Sequence, residues 1–246
     1  MSVVGTPTEW VDLIDPMVPQ IIDLVLATWG AMPPPASDDR EDDISNRLCA
    51  ALRQSRNRTD YQFQIHPQSV ILEPGADEEL GRLDIAFWPL IPSEEVYFCL
   101  ECKRLNVVCN GKTRAYCAEY VVHGMLRFVT GQYSRAVWHG GMLGYVLDGD
   151  VPGAMANVEE NIRNRHAELG MQSPGSLGPS SIRQHDPFAR ETRHRRQQQK
   201  RLFRLHHLFL ATATGKGPAA TPKGSKAPMP PKAKPKSKGK KGGAGK

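Results

Sequence analysis

Three side chains have the types and spacing to handle a divalent cation and a phosphoryl group: Asp84, then Glu101 and Lys103 at a separation of 17 residues. They fall in two strand-like stretches, 82–88 (RLDIAFW) and 95–104 (EVYFCLECKR). Side chains of a strand alternate faces, so Leu83, Ile85 and Phe87 point one way and Asp84 and Ala86 the other. By the same rule Phe98, Leu100 and Cys102 oppose Cys99, Glu101 and Lys103. One face is apolar and packs inward, and the other presents two carboxylates and an ammonium. If the connection holding Pro89 and Pro92 centres between Ile91 and Pro92, Asp84 sits opposite Cys99, with Glu101 one diagonal step away. Such diagonal neighbours lie about 7–8 Å apart. Two carboxylates there can share one hard cation such as Mg²⁺ or Mn²⁺, which takes oxygen ligands. The ammonium would hold a water or offset charge developing on phosphorus.

Elements on either side must hold this pair of strands in place. Helical spacing of Trp10, Leu13, Ile14, Val18, Ile21, Ile22, Val25 and Leu26 predicts a helix over about 8–29, with Pro16 and Pro19 as kinks. A second helix over about 38–54 is expected after Ser37 as N-cap, with Ile44, Leu48 and Leu52 on one stripe and Glu41 at its N-terminal end. Strands are expected at 61–72, 82–88, 95–104, 140–147 and 202–210, and further helices at 113–131 and 151–169. That order describes a mixed sheet with helices packed on it, an α/β or α+β domain.

Asp84, the 17-residue spacing and Glu101-Cys102-Lys103 in an apolar strand resemble the core motif of the PD-(D/E)xK superfamily, the restriction-endonuclease-like nucleases. The resemblance covers about 38–148 and departs from the motif in having no Pro before Asp84. It implies a restriction-endonuclease-like mixed β-sheet core flanked by helices. It also implies a Mg²⁺- or Mn²⁺-dependent phosphodiesterase, an endonuclease rather than an exonuclease. In that superfamily the Asp and Glu ligate the metal, the Lys serves the water and scissile phosphate, and an acid on the preceding helix completes the site. These roles map onto Asp84, Glu101, Lys103 and Glu41. The crossing helix after the motif often supplies a polar or basic residue, here Tyr120 or Arg127, with Gly124 permitting close approach. Restriction, phage defence and repair all suit such an enzyme. The rival reading is a non-catalytic nucleic-acid-binding module, or an effector subunit that keeps the fold.

Other readings of the same residues stay open. A solvated sheet face would pair Lys103 with Glu101 or Asp84, and acids crowd helix N-termini because the macrodipole favours them there. Cys99, Cys102, Cys109, Cys117 and His123 suggest zinc by type, but residues i and i+3 of a strand face opposite ways. Cys102 then reads as a small buried apolar residue.

Charge separates along the chain. Of its 246 residues, 1–182 carry 14 basic and 24 acidic side chains, 183–214 carry 8 and 2, and 215–246 carry 10 and none. The net charge of +6 therefore comes from the C-terminal quarter. Arg193, Arg195, Arg196, Lys200 and Arg201 suit phosphate contacts, as do Tyr120 and Arg127. The Lys/Pro/Gly/Ala-rich segment 215–246 reads as a disordered basic tail adding salt-sensitive affinity. The expected organisation is an N-terminal helical segment (1–36), a nuclease-like domain (37–214) and the tail. The expected partner is nucleic acid, DNA favoured over RNA, with a homodimer or partner subunit compatible. No apolar run approaches a membrane span and no secretory signal is evident, and five cysteines without framework spacing fit a reducing compartment, so a cytoplasmic location is expected.

Overall fold

A computed structural model describes residues 10–57, 60–72, 79–197 and 199–212. The chain divides into two units, Met1–Gly215 and Lys216–Lys246. The basic tail predicted at 215–246 lies outside the described residues.

The first helix, α1 (Ile14–Ala31), follows a 3₁₀ turn at Val11–Leu13. Pro16 falls in its first turn, where the missing N–H has no helical partner anyway, and Pro19 lies inside it. Helix α2 (Glu41–Arg56) starts later than expected: its N-cap is Arg40, and no side chain caps it. Asp39, not Ser37, shapes the entry, its Oδ2 accepting the Ala36 N–H at 2.8 Å. Strands β1 (Phe63–Leu72), β2 (Glu79–Pro89) and β3 (Phe98–Leu105) follow.

After β3 the expected helix start is replaced by a two-stranded ribbon, β4 (Val107–Cys109) and β5 (Lys112–Arg114). Helix α3 begins only at Cys117; its α-helical start (Cys117–Tyr120) passes through a π turn (Val121–Met125) and resumes as α over Leu126–Val129. Strand β6 (His139–Val146) and helix α4 (Val151–Asn164) come next. Two strands that hydrophobic periodicity did not mark are present, β7 (Gly178–Pro179) and β8 (Ala189–His194), before β9 (Phe203–Ala211).

Seven strands form one mixed sheet in the order β1-β2-β3-β6-β9-β8-β7, and β4-β5 stand apart as a second sheet. The β3–β6 and β6–β9 pairs are parallel, while the flanking pairs are antiparallel. Helices α1 and α2 cover one face, where Ile21, Val25, Ile44 and Leu48 pack on Ile85, Phe98, Leu100, Cys102 and Tyr145. Thus 10–36 share a core with the rest of the sheet instead of forming a segment of their own. Helices α3 and α4 cover the other face, Val121, Met125, Val158 and Ile162 packing on Cys99, Met142, Leu205 and Phe209. Of the five free cysteines, four are buried and Cys109 is exposed. No described helix is long and apolar enough to cross a membrane.

Candidate functional site

The register between β2 and β3 differs from the expected one by two residues, Ala86 rather than Asp84 facing Cys99. A shift of two by itself preserves the faces, but Leu83 packs with Ala86 and Cys99 instead of with Ile85 and Phe87, so the expected alternation of β2 breaks next to Asp84. The ladder runs only from Phe87↔Phe98 to Ile85↔Leu100. Beyond Leu100 the two strands separate, and β3 is left with an edge whose backbone donors need other partners. Carboxylates supply them. Asp84 Oδ2 accepts the Cys102 N–H at 2.7 Å, and Glu41 Oε2 accepts the Arg104 N–H at 2.8 Å.

Lys103 ties these groups together. Its Nζ donates to Glu101 Oε1 at 2.7 Å, to Cys102 O at 2.8 Å and to Glu41 Oε1 at 3.0 Å, using all three ammonium protons. Glu101, only 1% exposed, also accepts from Arg127 at 3.1 Å. Arg127 donates in turn to Tyr133 Oη at 2.7 Å, and the Tyr133 hydroxyl donates to Arg82 O at 2.8 Å. The other Glu101 oxygen, Oε2, is buried without a hydrogen-bond partner. Gly124 lets α3 pass close to the site: a Cβ there would displace the flexible end of Met142 and come into ordinary contact with Glu101 Cγ at 3.7 Å.

Electrostatics follow from the crowding. Burial, then the neighbouring Glu101 charge, push Asp84 up to about 7 despite Lys103. Burial also raises Glu101, against the pull of Lys103 and Arg127. For Lys103 burial acts downward, but Glu101, Glu41 and Asp84 together outweigh it and hold the ammonium charged. Among the described residues no group of three or more His, Cys, Asp or Glu side chains could hold a metal ion as it stands. A hard cation needs fewer from the protein, since one or two carboxylates plus water and phosphate oxygens suffice for Mg²⁺. The orphaned Glu101 Oε2 and the all-oxygen donor set of Asp84 and Glu101 fit that requirement.

The structure therefore brings Asp84, Glu101, Lys103, Glu41 and Arg127 together. Tyr120 is a correction: fully buried, it is out of reach of any nucleic acid, its hydroxyl 3.0 Å from His207 Nδ1. Tyr120 falls three residues after Cys117 and four before Gly124, on the buried stripe of α3, while His123 is exposed and Arg127 reaches Glu101. Arg196 is a second correction. It is buried, donates to the carbonyls of Tyr133, Ser134 and Val137, and lies 3.5 Å over the Phe203 ring. Arg193 pairs with Glu191 at 3.0 Å and Arg201 with Asp15 at 2.5 Å, while Arg195 and Lys200 are exposed. The Arg193 side of this cluster is remote from Glu101, whereas Arg196 is joined to Glu101 through Tyr133 and Arg127. Arg193 faces Arg204, whereas the rung of Lys103 passes through Gly144 to Phe209, five residues along β9 and three strands from β8. That separates them by about 20 Å.

Sequence reasoning missed a buried polar chain on the α3 side. His207 Nε2 lies 2.8 Å from Thr192 Oγ1, which lies 2.6 Å from His194 Nε2, and His194 Nδ1 reaches Leu169 O at 2.7 Å. Burial holds His194 down to about 4 and His207 well below its ordinary value. The histidines carried a signal, but their partners come from β8, which periodicity did not mark.

No family model, curated protein or solved structure matches the chain.

Proposed function

We propose that the chain is a divalent-metal-dependent nuclease of the PD-(D/E)xK, restriction-endonuclease-like kind, acting on DNA. One observation carries the reading: three carboxylates and a lysine from three elements, α2, β2 and β3, meet where β2 leaves β3, with one buried Glu101 oxygen unpaired. An unmatched buried acceptor costs about 1–3 kcal/mol, a cost that a cation on Glu101 Oε2 would remove.

Asp84 and Glu101 would hold Mg²⁺ or Mn²⁺, with Glu41 in support. The ion, when bound, supplies an activated water and neutralises charge on the phosphate. Lys103 fixes the carboxylates relative to one another and keeps an ammonium at the point where phosphate charge develops. Arg127, partly exposed, balances Glu101 and offers N–H donors toward solvent and substrate. Glu41, also partly exposed, forms the rim of the site.

The non-catalytic reading has one observation in its favour, the saturation of Lys103 by its three acceptors. One assay separates the two. Wild type and Glu101→Ala are incubated with plasmid, single-stranded DNA and RNA in Mg²⁺ and in Mn²⁺. Cleavage by wild type, lost in EDTA and in Glu101→Ala, is the expected result. Binding without any cleavage would make the chain a binding module.

A further inference from the structure

The β4–β5 ribbon is an element with little part in the core. Val107 is its one buried residue, and Val108 through Arg114 are all exposed. It starts four residues after Lys103, at the end of the strand that carries the site. Its tip, Asn110-Gly111, has φ of +51° and +71°, the two-residue turn whose twist matches a right-handed hairpin. The base is held too. Asn106 donates its N–H to Ala115 O at 3.2 Å and its side-chain amide to Asp148 Oδ1 at 3.1 Å. Asn106 and Tyr116, on either side of the ribbon, both have φ of +53°, a conformation that a bulky aromatic residue rarely adopts. Asn106 tolerates that conformation, so the strain sits at Tyr116, at the C-terminal foot of an element that is otherwise exposed.

Pairing gives the ribbon one charged face. Val107, Cys109, Lys112 and Arg114 share a side, and Val108 and Thr113 take the other. Val107 packs into the core cluster under α1 and α2, and Lys112 and Arg114 take the same side of the ribbon as Val107. The N-terminal turn of α2 (Glu41, Asp42, Asp43) is acidic and would repel a polyanion. Lys112 and Arg114 supply charge of the opposite sign close along the chain. Three residues per strand make the ribbon about 10 Å long. A two-stranded ribbon enters the B-form major groove, about 12 Å wide, whereas the major groove of A-form RNA is too narrow and deep.

We propose that the β4–β5 ribbon is a duplex-DNA docking element that seats the double helix beside Asp84 and Glu101, with Lys112 and Arg114 on phosphates. This rests on the nuclease reading for its purpose, but its test does not. Binding of the full chain to a short duplex DNA, and to duplex RNA of the same sequence, is measured in Ca²⁺ across a salt series. Lys112→Glu/Arg114→Glu is expected to weaken DNA binding at least ~10-fold and to lower the log–log salt slope by about 2. RNA binding, weaker from the outset, changes less than ~3-fold, and the melting temperature stays put. The milder Lys112→Ala/Arg114→Ala shifts DNA affinity the same way by less. Unchanged DNA affinity, or an equal loss on both duplexes, overturns the proposal. A chain that cuts DNA in Mg²⁺ yet ignores these substitutions keeps the nuclease reading and loses the ribbon. A chain that binds through the ribbon and never cuts does the reverse.

Discussion

Two buried polar clusters lie on the same sheet and are built on opposite terms. Around Glu101 the groups are charged, the carboxylates are pushed toward their neutral forms, and Oε2 has no partner. Around His207 the groups are neutral, and the contacts run from Tyr120 through His207, Thr192 and His194 to a backbone carbonyl. The second cluster is complete without a ligand and reads as structure. The first leaves Glu101 Oε2 without a partner, the place the proposed cation would take. Burial and hydrogen-bond counts alone would rank the two alike; saturation separates them.

The largest effect expected is on turnover. Glu101→Gln should lower DNA cleavage at least ~10³-fold, equivalent to about 4 kcal/mol in the barrier, with urea denaturation essentially unchanged. A fold-wide loss of stability in that variant would place Glu101 in the same class as His207. Conversely, His207→Ala removes a ring packed between Tyr120 and Thr192 and should cost ~3 kcal/mol of stability, while cleavage per folded molecule is retained.

Acid should act through the neutral cluster. His194 is held near 4 in the folded chain against its ordinary 6.5, so the unfolded chain takes up protons first. Stability is therefore whole above pH about 6.5 and drains as pH falls toward 4, by on the order of 3 kcal/mol for that residue. Melts recorded across this window should flatten in His194→Gln.

Asp84 gives the smallest effect, and of opposite sign. Its folded value near 7 lies above the ordinary 3.8, so ionisation costs stability increasingly as pH rises through that range. Asp84→Asn should raise stability by ~1–2 kcal/mol at pH 8 in EDTA, with no gain at pH 4, while abolishing cleavage. A destabilised Asp84→Asn would mean that the carboxylate serves β3's open edge more than it serves a ligand.

Much of this site was legible because the strand period is two. Glu101 and Lys103 share a side as expected, since they stand two apart on β3, whereas the alternation of β2 breaks beside Asp84, where Leu83 packs with Ala86. Glu41 was legible from the stripe it shares with Ile44 and Leu48. What escaped has physical reasons. Strand β8 (ARETRH) reads as charged because Glu191 and Arg193 satisfy each other within it. The basic run suggested a wholly exposed cluster, but Arg196 turns inward onto Phe203 and three carbonyls. Tyr120 sits at helical spacing from buried Cys117 and Gly124, but its hydroxyl made it read as a polar residue of the wet face. The β4–β5 ribbon has almost no core face, so no apolar periodicity announced it.

The ribbon also carries a chemical handle. Cys109 sits at its tip-proximal end, whereas Cys49, Cys99, Cys102 and Cys117 are buried. Burial raises the thiols of Cys49 and Cys117 to about 11, far from the reactive thiolate form. The native chain thus offers maleimide or spin-label chemistry a single address without any cysteine having to be removed. A fluorophore attached there would stand on the element itself, reporting by quenching or anisotropy whether a double helix has arrived.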